Sequence, residues 1–375
     1  MTDREVAIVL NLVPGIGFVK FSALRDHFGS AGAIAFRSEA EYREVPGIGE
    51  ELAHKLRTCA WQEQLKDELD LADRAGVRVI TYFDENYPEV LRQLYDPPLV
   101  LYVRGILGLF PDRTISVVGT RKMTSYGRRI TTQLCREAVE AGFTVVSGLA
   151  YGVDTVAHRT TVDLGGTTVA VLGGGLMNIH PKENIPLARD IVDSGGALIS
   201  EFPMKFPVSR QSFPRRNRIV AALSRGTLVT EAGLDSGALI TAKLALEIGK
   251  EVFAVPGMAD NPVAQGCHRL IKDGATLVEN FTDILDALGA GFLPGLSPRS
   301  GETGLVYDRD AVSDLPEIQQ QIIGALSNGD LTLEELQLAL GLDTAYLLGE
   351  LMQLEMKFLV EQDSQLRYRV VTGRA

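Results

Sequence analysis

Cysteine is scarce in this chain of 375 residues: there are three, Cys59, Cys135 and Cys267, far apart in sequence. They fit neither a disulfide framework nor a paired zinc-ligand spacing, so buried thiols in a reducing compartment are expected. Histidine is almost as thin, at five, and none is spaced with carboxylates as metal ligands, so no catalytic metal is expected. No run approaches the roughly 18 apolar residues of a membrane span, and the start, MTDREVAIVL, has no basic leader region, which together suggest a cytoplasmic protein without a span. Positive charge is also short: 37 Lys and Arg face 48 Asp and Glu, a net charge of -11. That balance argues against indiscriminate coating of duplex DNA, which needs broad basic surfaces to displace counterions. G-x-x-x-x-G-K-[ST] is missing, and VAVLGGGLMNIHP does not complete G-x-G-x-x-G with a later acidic residue, so neither ATP in a P-loop nor NAD is expected as cofactor.

What is present is the balance of a globular chain, 45% hydrophobic and 23% charged, long enough for two or three domains. Residues 1–75 read as helical and contain two near-identical hairpins, VPGIGFVKFSALR from Val13 and VPGIGEELAHKLR from Val45. Their glycines permit φ > 0 in a tight turn that opens a helix whose free N–H groups can hold a phosphate. The repeats resemble the helix-hairpin-helix (SAM-like) motif of DNA-binding proteins; Glu50 and Glu51 after the second equally suit a module used for packing or protein contacts.

Residues 76–288 change texture. Short β-branched runs, ISVV at Ile115, TVVS at Thr144, TTVAVL at Thr167, ALIS at Ala197, TLVT at Thr227, EVFAV at Glu251 and TLVE at Thr276, alternate with helical segments. Near-continuous apolar strands separated by helices predict an α/β, Rossmann-like doubly wound, mostly parallel sheet covered on both faces. Its carboxyl edge, where such sheets bind ligands, carries Gly119, Gly148, Gly173, Glu201, Glu231 and the pair Pro256-Gly257. Residues 289–312 are rich in Gly, Pro and Ser and read as a linker. Residues 313–375 show three short amphipathic helices and a β-ribbon, the pattern of a winged helix. From Asp314 onward ten acidic residues face four basic ones, so this tail is expected to touch protein rather than DNA.

Gly119-Thr120-Arg121 stands where a strand opens into a helix, so backbone N–H groups, a hydroxyl and a guanidinium converge there as they would on a phosphate. Asp154 and His158, four apart, invite an acid–base pair, yet with no nucleophile nearby a cap and a packed ring are the simpler account. Glu231, with Ser236 and Gly237, likewise reads as loop-fixing. The densest signal is RQSFPRRNRIVAAL, in which Arg210, Arg215, Arg216, Asn217 and Arg218 surround Phe213. Cations for a backbone beside an aromatic face for a base are what sequence-tolerant single-strand binding requires. Some of these arginines are equally expected to pair with Glu201 or Glu231.

Together GTR, SGLAYGVDTVAH, VAVLGGGLMNIHPKEN, LISEFP, FPRRNRIVAALSRG, LVTEAGLDSGALITAK, EVFAVPG and GCHRLIKDGA resemble the DNA-processing protein A family, DprA or Smf, from about Tyr82 to Leu277. The resemblance implies a non-enzymatic homodimer that binds single-stranded DNA in natural transformation and loads the RecA-type recombinase onto it. It puts phosphate contacts at Gly119, Thr120 and Arg121, stacking at Phe213, further DNA contacts at Lys182 and Arg210, and the dimer interface around His268, Ile271 and Leu277. Two positions depart from the family pattern, His180 for an aromatic and Arg210 for lysine. The rival class is a nucleotide phosphoribohydrolase using Glu231, but the Gly-Gly-x-Gly-Thr run that should precede the glutamate is absent, and GGG at Gly173 is far away.

Overall fold

Thr2 opens the chain with a capping box: its hydroxyl accepts from the Glu5 N–H while the Glu5 carboxylate accepts from the Thr2 N–H, which starts helix α1 (Asp3–Leu12). The computed structural model describes residues 1–107, 113–289, 316–326, 331–356, 360–362 and 367–370. Helices α2 (Phe18–Phe28), α3 (Glu39–Arg43), α4 (Glu50–Arg57) and α5 (Trp61–Arg74) follow. Both predicted hairpins form, with Gly15 at φ +97° and Gly47 at φ +82° supplying the left-handed turn residues. In the first, the opening N–H of α2, that of Phe18, donates to Asp96 Oδ1 at 3.1 Å. A carboxylate of the same chain, 78 residues away, thus takes the place a phosphate would hold.

Strand β1 (Arg78–Thr81), the short α6 (Glu89–Arg92) and β2 (Val100–Gly105) lead into alternating strands and helices. These are β3 (Thr114–Val118), α7 (Ser125–Glu140), β4 (Thr144–Ser147), α8 (Val153–Asp163), β5 (Thr168–Val171), α9 (Ile185–Asp193) and β6 (Ala197–Ser200). Then come α10 (Ser212–Ala222), β7 (Gly226–Val229), α11 (Gly237–Glu247), β8 (Glu251–Ala254), α12 (Gln265–Lys272), β9 (Thr276–Leu277) and α13 (Phe281–Ala287). The nine strands form one sheet in the order β1-β2-β6-β5-β4-β3-β7-β8-β9. All seven predicted strands are present and pair in parallel, for example Ser116 with Thr227 and Val146 with Val169. The pair β1 and β2 adds an antiparallel edge, Tyr102 lying opposite Ser200, which the sequence reading did not single out.

Alternation along each strand explains the two covered faces. Ile115, Val117, Val145 and Leu228 pack with Ile130, Leu134 and Ala157 of α7 and α8. Their neighbours Val118, Val146 and Val229 pack on the other side with Ile219 of α10 and Ala238, Ala242 and Ala245 of α11.

The amino-terminal helices share a core with the sheet: Phe21, Tyr42, Leu56 and Trp61 belong to the apolar cluster that holds Val100, Tyr102, Ala170, Leu187 and Leu198. Polar bonds fasten the same junction, with Asn11 Nδ2 donating to the Glu201 carbonyl at 3.0 Å and the Met204 N–H donating to buried Glu68 at 2.8 Å. Residues Met1–Pro298 thus make one compact unit.

The second unit, Arg299–Ala375, contains α14 (Glu317–Leu326), β10 (Leu331–Thr332), α15 (Leu333–Leu340), α16 (Thr344–Met356), β11 (Val360–Gln362) and β12 (Arg367–Val370) among its described residues. Its strands form an antiparallel sheet in the order β10-β12-β11, and Ile322, Leu336, Leu347, Leu351, Leu354 and Tyr368 build its core. The expected linker falls almost wholly outside the described residues.

Because helices and sheet share one core, Phe21→Ala is expected to cost about 3–5 kcal/mol across the first unit, not only at its amino terminus. Fluorescence of Trp61, the single tryptophan, and amide-exchange protection in β5 should report the same loss. Loss confined to the Trp61 signal would separate the helices from the sheet.

Candidate functional site

Strands β3, β4, β5 and β6 step one way across the sheet and β7, β8 and β9 the other, so the connections diverge between β3 and β7 and leave a crevice at the carboxyl ends. A cleft of about 890 Å³ opens there. One wall comes from the turns after β3 and β4, with Gly119, Thr120, Arg121, Lys122 and Gly148; α10 contributes Phe213, Arg216 and Asn217, with Arg210 just before it. The opposite wall runs from Gly233 to Ala238 and includes Pro262, Val263 and Gln265. Asp154 and the Gly237-Ala238 pair line it from the first turns of α8 and α11, ends whose N–H groups favour an anion. Four permanent cations, Arg121, Lys122, Arg210 and Arg216, face two carboxylates, Asp154 and Asp235, among the described lining residues.

Close backbone approach explains the glycines. A Cβ on Gly119 would lie 2.5 Å from Val153 Cγ2 and 2.9 Å from the Glu231 carbonyl. The absent side chain lets the Thr120 N–H reach that carbonyl at 2.7 Å, and the Thr120 carbonyl accept from Val153 at 3.2 Å. The turn fixed this way carries Arg121, whose guanidinium carbon lies 4.9 Å from the centroid of the Phe213 ring, within cation–π range. Phe213 is half-buried and rests against Gly173, where a Cβ would come within 3.0 Å of its ring.

Beneath this pair lies Arg216, 4% exposed, with Nη1 donating to the Val171 carbonyl at 2.5 Å. A Cβ on Gly148 would stand 1.7 Å from that nitrogen, so glycine is what admits the guanidinium. Burial pulls the Arg216 pKa down, Asp154 pulls it back up and Arg121 adds to the lowering; a guanidinium stays charged through such a shift. Asp154 is pushed up by burial and drawn back by Arg216. It accepts from the Gly148 and Ala150 N–H groups at 3.2 and 3.3 Å. It therefore closes the loop ahead of α8 instead of capping the helix, whose cap position is Gly152. His158 bonds through Nδ1 to Thr168 Oγ1 at 2.7 Å. That hydroxyl donates to the Val145 carbonyl, so the ring N–H donates to it. Burial, helped by Arg216, lowers the His158 pKa to about 3, so the ring packs neutral.

The arginine cluster divides. Arg215 and Arg218 both turn to buried Glu201, at 3.1 and 2.5 Å, and Arg218 also approaches Asp96 at 3.9 Å. Arg215 further covers the Phe202 ring at 5.3 Å. Neither is part of the cleft lining, whereas Arg210, Arg216 and Asn217 are. Glu231 gives both carboxylate oxygens to Thr124, to its N–H at 2.8 Å and its hydroxyl at 2.7 Å, anchoring the start of α7. Lys182 lines a neighbouring groove with His180. His268 is bonded through Nε2 to the Gly257 carbonyl at 3.0 Å, Ile271 is half-buried, and Leu277, 43% exposed, lies on edge strand β9.

Sequence reasoning did not single out Leu234 or the Pro262–Gln265 wall. GLDSGA after Glu231 held the signal for Leu234, since a glycine-bounded turn after β7 must border the crevice.

Residues 78–289 match the family described as DNA recombination-mediator protein A. Protein Smf of Escherichia coli is 43% identical over 234 residues, which are 62% of this chain and 60% of that protein, short of two thirds of its length. Protein Smf of Synechocystis is 32% identical over 98% of this chain and all of its own. Among solved structures, DNA processing protein A from Streptococcus pneumoniae superposes with a TM-score of 0.66 at 30% identity, covering 76% of this chain and 98% of that one. The protein of that name from Helicobacter pylori, studied for its single-stranded DNA binding mode, gives a TM-score of 0.52 at 30% identity, over 58% and 98%.

Two outcomes follow from the site's packing. Gly148→Ala should displace the Arg216 guanidinium and cost about 1–3 kcal/mol, the range for overpacking, measured by urea unfolding. His158 has a folded pKa of about 3, below its ordinary value of 6.5, so its contribution is complete above pH 6.5 and lost as pH falls toward 3. His158→Gln should flatten that part of the stability–pH profile; an unchanged slope would contradict a neutral, buried ring.

Proposed function

This chain belongs to the DNA recombination-mediator protein A family, and we propose that its cleft binds single-stranded DNA and that the protein delivers the strand to a RecA-type recombinase, in natural transformation or a related uptake pathway. The observation that carries the binding reading is the Arg121–Phe213 pair, a cation 4.9 Å from an aromatic centroid at the crevice where the sheet's connections diverge. A base stacks on Phe213, and its phosphates meet the Gly119-Thr120-Arg121 turn and Arg210, over the fixed charge of Arg216. Stacking of this kind contributes about 1–3 kcal/mol per base and tolerates any sequence. The Helicobacter pylori relative, which binds single-stranded DNA, supports this assignment.

The role is one of binding, without a catalysed reaction: Glu231, the residue a hydrolase would need, is committed to Thr124. The protein acts as a cytoplasmic homodimer through the face around His268, Ile271 and Leu277, where Leu277 is exposed on an edge strand. The carboxyl-terminal unit is a winged helix that engages protein.

Fluorescence anisotropy of a labelled single-stranded oligonucleotide, titrated over a salt series with a duplex competitor, tests the reading. Wild type should bind in a salt-sensitive manner that duplex competes poorly. Arg121→Ala and Phe213→Ala should each weaken binding by about 10-fold or more, and Arg121→Ala should lower the log–log salt slope by ~0.7, one phosphate's share for a single strand. Wild-type binding by both variants would remove the strand from this cleft.

A further inference from the structure

A second concavity, of about 460 Å³, is lined in part by Pro207 and Val208 of the segment that leads into α10. Four basic side chains line it, Arg104, His180, Lys182 and Arg189, and no acidic one does among the described residues. All four are exposed. Arg104 comes from the far end of β2, where it lies opposite Leu198 of β6, and Arg189 from the middle of α9. The fold therefore brings together cations more than 70 residues apart in sequence.

The acids nearby are occupied elsewhere. Glu183 accepts from the Tyr151 hydroxyl at 2.5 Å, and Asp190 accepts from Arg159 Nη1 at 2.7 Å. Glu183 feels His180 and Lys182, but among the described residues no ion pair engages Arg104, Lys182 or Arg189. Arg104 and Arg189 carry fixed charge into a groove whose described lining has no carboxylate, and an anion relieves their mutual repulsion. The floor is preformed: the Met177 N–H donates to the Met204 carbonyl at 3.1 Å, and Asn178 Nδ2 to the Lys205 carbonyl at 2.7 Å. Apolar surface from Leu176, Ile179 and Val208 suits a base or sugar as well as the basic rim suits phosphates.

This groove also abuts the cleft. The His180 ring lies 6.4 Å from that of Phe213, centroid to centroid, and the same short loop gives Val208 to the groove and Arg210 to the cleft.

We propose that the groove is a second subsite for the same DNA strand, taking the nucleotides that continue past Phe213 over His180, with Arg104 and Arg189 as phosphate contacts. The inference rests on the reading of the cleft as a single-strand site. It distinguishes a polymer crossing two subsites from an isolated phosphate site, because only the polymer makes the groove's contribution depend on strand length.

The test compares a trinucleotide with a ~16-nucleotide single strand, the upper end of the span seen for compact single-strand sites. The proteins are wild type, the double variant Arg104→Ala/Arg189→Ala, the charge-retaining Arg104→Lys/Arg189→Lys, and Arg121→Ala. The alanine pair should weaken the long strand by roughly 10-fold and lower its salt slope by about 1.4, two phosphates' share, while the trinucleotide binds as before and the lysine pair restores most of the loss. An unchanged affinity and slope for the long strand, or an equal loss at both lengths, would overturn the second subsite. The cleft reading fails separately, by wild-type binding of both lengths to Arg121→Ala. Unchanged thermal unfolding of the alanine pair would show that the exposed positions were removed without damage to the fold.

Discussion

A buried guanidinium sets the terms for the whole carboxyl edge of the sheet. Charge away from water is costly unless bonds and countercharge offset it, and Arg216 obtains both from its surroundings. The Val171 carbonyl takes one of its hydrogens, and Asp154, held by two loop N–H groups, supplies an opposing field. Glycine is the residue the site tolerates at 148, and His158 one turn along α8 is kept neutral. What emerges is a floor of fixed positive charge under a half-exposed aromatic ring. Its orientation is set by the fold, so an arriving anion need not order it.

The other arginines of the same short segment divide the work. Arg215 and Arg218 spend their charge on Glu201, and Arg218 reaches toward Asp96, the carboxylate that receives the first N–H of α2. A line of alternating charge thereby joins the amino-terminal helices to the helix that carries Phe213. Asn11 and Glu68 grip the loop between β6 and α10 from the same side. The amino-terminal module works as a wall of the site's foundation, and a chain of net negative charge still holds a cleft in which four cations outnumber two carboxylates among the described lining residues.

Much of this was legible in the sequence. Seven parallel strands follow from β-branched runs separated by helical periodicity, since a strand buried on both faces must be apolar throughout. The glycines at 119 and 148 were readable because the ends of such strands are where backbone must come close. The partner of each arginine was not readable: Glu201, Glu231 and Asp154 are all plausible by charge, and only the direction of α10 assigns Arg215 and Arg218 to one side and Arg216 to the other. Asp154 resembled a helix cap by position, yet its oxygen faces backward to Gly148 and Ala150. The antiparallel strands β1 and β2 were hidden because their short runs, RVIT and VLYVRG, precede the regular alternation of strand and helix that marks the rest of the sheet. Arg104 was invisible for the same reason, its neighbours in space being set by the sheet's far edge.

The first amino-terminal hairpin carries a wider lesson. Its Pro-Gly-Ile-Gly turn and following helix have every feature of an anion receptor, and the receptor is already occupied, from within, by Asp96. At this first hairpin the signature describes a geometry that the chain fills for itself. When the complementary charge is encoded downstream in the same gene, a recognition motif becomes a rivet, and counting its copies counts joints as readily as ligands.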